Sequence, residues 1–105
     1  MGKLRLLELL TYLKSITAAY TVTTADYFLE CNSTSAIFTV TLPTAVGCVG
    51  REYVFVKNNA GNDITIDPYN AETINGAATH ALVTQWSKIV IFSNGTNWLI
   101  KSNAT

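Results

Sequence analysis

Charged side chains are scarce in this sequence of 105 residues. Asp, Glu, Lys and Arg together make up 13% of it and the formal net charge is zero, whereas an ordinary soluble domain is about one quarter charged. Nucleic-acid binding needs a basic face that displaces counterions from phosphates. The composition therefore argues against nucleic acid as a partner, and we expect strand surfaces that are buried between subunits.

Cysteine is also scarce, because Cys31 and Cys48 are the only two. Small secreted domains that rely on disulfides use four or more, so this pair does not make a disulfide framework. We favour two buried thiols in a protein that is assembled in reducing cytosol. A single bridge between them is the alternative.

Groups that could carry out catalysis or hold a metal are few. His80 is the only histidine and the acidic residues stand singly. The sequence has no nucleophile elbow, phosphate loop or metal-ligand motif, and no histidine base accompanies Cys48. We therefore predict no catalytic residue, no cofactor and no metal. A glycosidase-type carboxylate pair, assembled from distant positions, is the remaining enzymatic alternative.

Long hydrophobic runs are absent as well. The first residues, MGKLRLLELLTYL, imitate a signal peptide in their basic start and apolar middle, but Glu8 interrupts the apolar part. That stretch is too short to span a bilayer. We therefore predict neither processing nor membrane association.

Leucine spacing is the first positive pattern. An apolar seam with steps of three and four residues predicts an amphipathic helix over residues 1–19, a candidate for trimerisation or anchoring. Its members are Leu6, Leu9, Leu13, Ile16 and Tyr20. An isolated helix of about two heptads is marginal in water. We therefore expect it to bundle with copies of itself, to dock on another protein, or to pack on its own domain.

Alternation of period two follows from Tyr20 onward. It predicts about eight short antiparallel strands, forming an all-β sandwich or barrel-like domain over residues 20–105. Residues 52–57, EYVFVK, are apolar on both faces and predict a central strand. Asn-Gly pairs at 75–76 and 94–95 predict tight turns.

The two tryptophans, Trp86 and Trp98, each lie near a predicted loop. Packing in the core or at an interface is the first interpretation. The second is a stacking platform for a glycan, because an indole combines a flat apolar face with a polar edge.

Several short motifs occur in a recognisable order. They are TVTLP at 39–43, Gly47 and Gly50 before Tyr53, KN at 57–58, ITID at 64–67, ETING at 72–76 and SNGTNW at 93–98. Over residues 20–101 this order resembles the trimeric β-domain that recurs in bacteriophage tail-fibre, tail-spike and head-fibre or decoration proteins.

The resemblance implies a non-enzymatic structural protein on the virion surface, assembled in the bacterial cytoplasm. It implies a homotrimer whose β-domain is an exposed knob, with a helical stem that contacts capsid or tail proteins. The short N-terminal segment favours a small complete virion protein or an excised fibre tip. A tail-fibre tip or glycan-binding module that contacts the host surface is the alternative function.

Overall fold

The computed structural model describes residues 13–104, which form nine β-strands in two sheets. The strands are β1 (Leu13–Ile16), β2 (Tyr20–Thr21), β3 (Phe28–Cys31), β4 (Phe38–Thr41), β5 (Glu52–Lys57), β6 (Ile64–Asp67), β7 (His80–Leu82), β8 (Lys88–Ser93) and β9 (Trp98–Ala104). The five-stranded sheet has the order β1-β3-β5-β8-β9, and the four-stranded sheet has the order β2-β4-β6-β7.

Both sheets are mixed, so the prediction of an antiparallel domain is wrong. The pairs β1/β3, β3/β5, β2/β4 and β4/β6 are parallel, while β5/β8, β8/β9 and β6/β7 are antiparallel. Parallel neighbours need a long crossover. Here the crossover is a strand of the opposite sheet, because the chain alternates between the two sheets from β1 to β6.

The predicted helix over residues 1–19 is contradicted where the structure describes the chain. Residues 13–16 form β1, which pairs with β3 at the edge of the five-stranded sheet. The described residues contain no helix. Helical spacing placed Ile16 and Tyr20 on one face, yet they lie in strands of different sheets. Pairing with β3 satisfies the backbone and buries Ile16, which outweighs a weak helical preference.

The core lies between the sheets and is built from alternate residues of each strand. The five-stranded sheet contributes Leu29, Phe55 and Ile91, and the four-stranded sheet contributes Val40 and Ile66, all without solvent exposure. Each such side chain stabilises the fold by about 1.5–3 kcal/mol relative to an exposed position. The core therefore uses one face of each sheet, and the other two faces point outward.

The turn at 75–76 confirms a local prediction. The backbone N–H groups of Ile74 and Ala77 each donate to the carbonyl of the other, at 2.9 Å. Asn75 and Gly76 both have positive φ, 49° and 82°, as a two-residue hairpin turn with the twist of its strands requires.

Candidate functional site

The outer face of the five-stranded sheet is largely apolar, and we call it the apolar face. Leu13, Phe28, Val54 and Val90 are consecutive cross-strand neighbours on β1, β3, β5 and β8. On these strands the core cluster takes residues of the opposite parity, such as Ile16, Leu29, Phe55 and Ile91, and none of these four, so they point away from the core. The apolar face also includes Val56, Phe92 and Leu99.

Charged side chains of both signs lie among these apolar groups. Glu52 accepts hydrogen bonds from Lys101 Nζ and Tyr27 Oη, each at 3.1 Å. Lys101 is displaced by an irregularity between β8 and β9. Gly50, Glu52, Phe92 and Lys101 line an open cleft of about 360 Å³. The face thus combines an apolar centre with a neutral, mixed-charge margin.

The outer face of the four-stranded sheet differs in chemistry, and we call it the threonine face. Thr39 and Thr65 are cross-strand neighbours, followed by Ala81. Thr21, Thr41 and Asp67 form the adjacent row. Threonine favours strands and exposes a hydroxyl that water can satisfy. The strand residues of this face therefore include no large apolar side chain, although the exposed Ile37 directly precedes β4 and the exposed Val83 directly follows β7.

Groups with catalytic potential are dispersed over the described residues. No cluster of three His, Cys, Asp or Glu side chains able to hold a metal occurs among residues 13–104. His80 lies half-buried on the edge strand β7, and burial lowers its pKa. Cys31 and Cys48 are both free, which answers the question of a bridge between them. Burial raises the pKa of the Cys31 thiol to about 12, so this thiol is a poor nucleophile.

The predicted seam residues are not brought together. Leu13 is exposed on the apolar face, Ile16 is buried in the core, and Tyr20 is half-buried on β2. Tyr20 Oη donates to Asp26 Oδ2 at 2.7 Å. Leu6 and Leu9 lie outside the described residues. The seam therefore does not exist as one surface in the described chain.

The two tryptophans differ completely in solvent exposure. Trp98 is fully buried and its ring lies 5.6 Å from that of Tyr53, centroid to centroid. It offers no face for a ligand, so the suggestion that Trp98 stacks on a glycan is wrong. Trp86 has 63% of its surface exposed, and stacking remains a prediction for it alone.

The loop that carries Trp86 has an unusual backbone. Thr84 to Ser87 form a turn in which the Ser87 N–H donates to the Thr84 carbonyl at 3.1 Å. The Trp86 N–H donates to the Lys57 carbonyl at 2.7 Å, and the Lys57 N–H donates to the Ser87 carbonyl at 3.0 Å. Trp86 and Ser87 thus both oppose Lys57, as in the type of β-bulge that places glycine in the left-handed region. Trp86 holds that position with φ of 68°.

Apart from Leu13, the apolar-face residues are not among the site residues predicted from the sequence, although the sequence carries a signal for them. In β5 and β8 apolar residues occupy both parities, as in Val54 with Phe55 and Val90 with Ile91. One parity fills the core, and the other points outward and forms the apolar face. The composition predicts strand surfaces that are buried between subunits, but it does not identify their residues, because that requires the strand partners.

No family model matches the sequence, and no curated protein matches it. Within residues 13–104 no helix has the length and hydropathy needed to cross a membrane.

Proposed function

We propose that this chain is a non-enzymatic structural protein of a bacteriophage virion, a homotrimeric surface fibre or capsid-decoration element. The motif order over residues 20–101 supports this proposal. The observation that carries the structural part is the apolar face of the five-stranded sheet. It is the surface on which copies of the chain associate, and the threonine face stays in water.

The side chains on the apolar face fit a second copy better than a charged partner. Phe28, Val54 and Val90 form a continuous row across three neighbouring strands. Glu52 and Lys101 at the margin already neutralise each other. Burial of such a row gains about 25 cal/mol for each Å² of apolar surface that leaves water. Copies of one neutral chain can make this contact without burying a net charge.

Attachment to capsid or tail belongs, in this proposal, to the segment that precedes Leu13. Its sequence is rich in leucine, and β1 connects it to the edge of the five-stranded sheet. Trimerisation through the apolar face leaves the loops at the ends of the sandwich available for display. The protein therefore lies on the virion surface after assembly in the bacterial cytoplasm.

Matched substitutions on the two outer faces test the association. Val90 and Thr65 are both half-buried, outward-facing residues on interior strands of their sheets. Wild type and Thr65→Lys should sediment as trimers of the 11.4 kDa chain, whereas Val90→Lys should sediment as a monomer with an unchanged far-ultraviolet circular dichroism spectrum. Light scattering at micromolar concentration gives the same comparison.

A monomeric wild type would overturn the proposal, as would a Val90→Lys variant that remains trimeric. The virion location needs its own measurement. Electron microscopy of phage particles labelled with an antibody against the β-domain should place the label on the capsid or tail surface. Label on unassembled protein alone would exclude a virion component.

A further inference from the structure

The strongest unexplained feature of the molecule is Trp86. Its left-handed backbone suits glycine, and for a bulky residue it is a rare and unfavourable conformation. The ring is 63% exposed, so packing within the chain does not offset that cost. β-Bulges often re-aim a side chain next to a functional site. The bulge here presents an indole to the outside of the protein.

Three loops meet at this end of the sandwich, and we call it the amide end. They are residues 32–37 after β3, 58–63 after β5 and 83–87 before β8. Parallel pairing of β3 with β5 and antiparallel pairing of β5 with β8 bring them to the same end. Asp63 is the only charged residue in the three loops. The three loops therefore carry little charge, and the nearest cation to Trp86 in sequence is the half-buried Lys88 at the start of β8.

Amide side chains surround the bulge. Gln85 precedes Trp86, and its Nε2 lies 3.5 Å from the Asn58 carbonyl. Asn59 Nδ2 donates to Asn58 Oδ1 at 3.3 Å. Asn58 Nδ2 and Gln85 Oε1 take part in no hydrogen bond among the described residues. An amide group offers both donors and acceptors, which is the pattern that sugar hydroxyls require.

The amide end is held in place before any ligand arrives. Lys57 is fully buried, and its Nζ donates to the carbonyls of Asn59 at 2.6 Å and Gly61 at 3.2 Å. Asn62 Nδ2 donates to the Ser33 carbonyl at 3.0 Å, which ties two of the loops together. A buried charge is costly unless its hydrogen bonds are made. The hydrogen bonds of Lys57 fix the loop beside Trp86. Preorganised loops bind a ligand with a smaller entropy loss.

We propose that Trp86, with Gln85 and Asn58, forms a binding site for a neutral oligosaccharide. The indole face stacks on the apolar face of a pyranose ring, and the amides exchange hydrogen bonds with its hydroxyls. The absence of a basic cluster in the three loops argues against an acidic glycan. The proposal gives a host-surface ligand to the proposed virion protein, but its geometry is independent of the apolar face and of trimerisation.

Replacement of Trp86 separates ligand contact from folding. Glycine and asparagine both tolerate the left-handed backbone, so Trp86→Gly and Trp86→Asn should keep or raise the thermal unfolding midpoint. Both should lose binding to an array of neutral oligosaccharides of glucose, galactose, rhamnose and N-acetylglucosamine. The affinity for a hexasaccharide chosen from that array should fall by about ten-fold or more. Tyr69→Ala, which removes an exposed aromatic side chain at the opposite end, should bind like wild type.

Four outcomes would overturn this site. They are no array binding by the wild type, unchanged binding by Trp86→Gly, a lower unfolding midpoint in both variants, and conversion of a trimer to monomer by them. The last two would mean that the ring packs inside the protein or between copies. A wild type that is monomeric yet binds through Trp86 would remove the proposed trimer and leave the sugar site intact.

Discussion

The outer faces of the two sheets present opposite chemistry on strands of similar length. The outer face of the five-stranded sheet carries the row that contains Phe28, Val54 and Val90, whereas that of the four-stranded sheet carries Thr39 and Thr65. Both sheets fill the same core with their inner faces. The shared core therefore does not explain the difference between the outer faces. It is the difference expected if copies of the chain associate through the apolar face, as we propose.

The largest expected effect is a difference in stability loss when aspartate replaces one residue on each outer face. Val54 is 6% exposed at the centre of the apolar face, while Thr65 is half-buried on the threonine face. Val54→Asp places a carboxylate between Phe28 and Val90 on the apolar face, two residues from Glu52, and should lower the free energy of unfolding by about 3 kcal/mol. Thr65→Asp should cost about 1 kcal/mol through its lower strand preference.

Urea denaturation at equal chain concentration measures both values, because association also contributes to apparent stability. Equal losses in the two variants would contradict the contrast between the faces. A Thr65→Asp variant that loses more than Val54→Asp would reverse it.

The sequence predicts a structural feature correctly when the residues that decide it are neighbours in the chain. The two-sided apolar pattern of residues 52–57 correctly identifies β5 as an interior strand, because burial of both faces needs apolar residues at both parities. Asn75-Gly76 identifies its turn for an equally local reason, since few residue pairs accept positive φ twice. Such features are decided within a few residues.

The errors concern partners that are distant in sequence. Alternation indicates a strand but not the direction of its neighbour, so the parallel pairs of β1 to β6 could not be read from it. Residues 13–16 follow a helical spacing, yet pairing with β3 makes them a strand. The sequence indicated Trp86 as one of two candidates for glycan stacking, but not its left-handed backbone, because tryptophan at a glycine position runs against the local preference. The candidate site is found only when Lys57 and Ser87 are seen to face each other.

Unfolding free energy measured at alkaline pH should test the burial of Cys31 in the five-stranded sheet. Burial, with a smaller contribution from Glu30, raises the pKa of this thiol to about 12, and an unfolded thiol titrates at about 8.5. Because the pKa is higher in the folded state, the stabilising contribution is complete below the unfolded pKa and is lost as pH rises toward the folded pKa. Between these two pKa values, the unfolding free energy of Cys31→Ala should therefore fall less steeply with pH than that of wild type.

Cys48→Ala is the matched control for this measurement, since it removes the other free thiol. A change of slope in Cys48→Ala equal to that in Cys31→Ala would mean that the effect is not specific to the buried thiol. A Cys31→Ala slope identical to that of wild type would mean that the buried thiol does not contribute to alkaline unfolding.

The smallest expected effect is a loss of stability at mildly acidic pH, caused by a histidine of the four-stranded sheet. Burial lowers the pKa of His80 on β7, whereas an unfolded histidine titrates at about 6.5. The unfolded chain therefore binds this proton more readily, so stability is fully present above the unfolded pKa and falls as pH drops toward the folded pKa. His80→Gln removes the only histidine, and its unfolding midpoint in urea should change less than that of wild type between neutral and mildly acidic pH. The measurement should stay above the range in which carboxylates titrate.

If both proteins lose the same stability over that interval, His80 is not the acid-sensitive group. If His80→Gln loses more, the protonated imidazole stabilises the edge of this sheet, and the sign derived from burial is wrong.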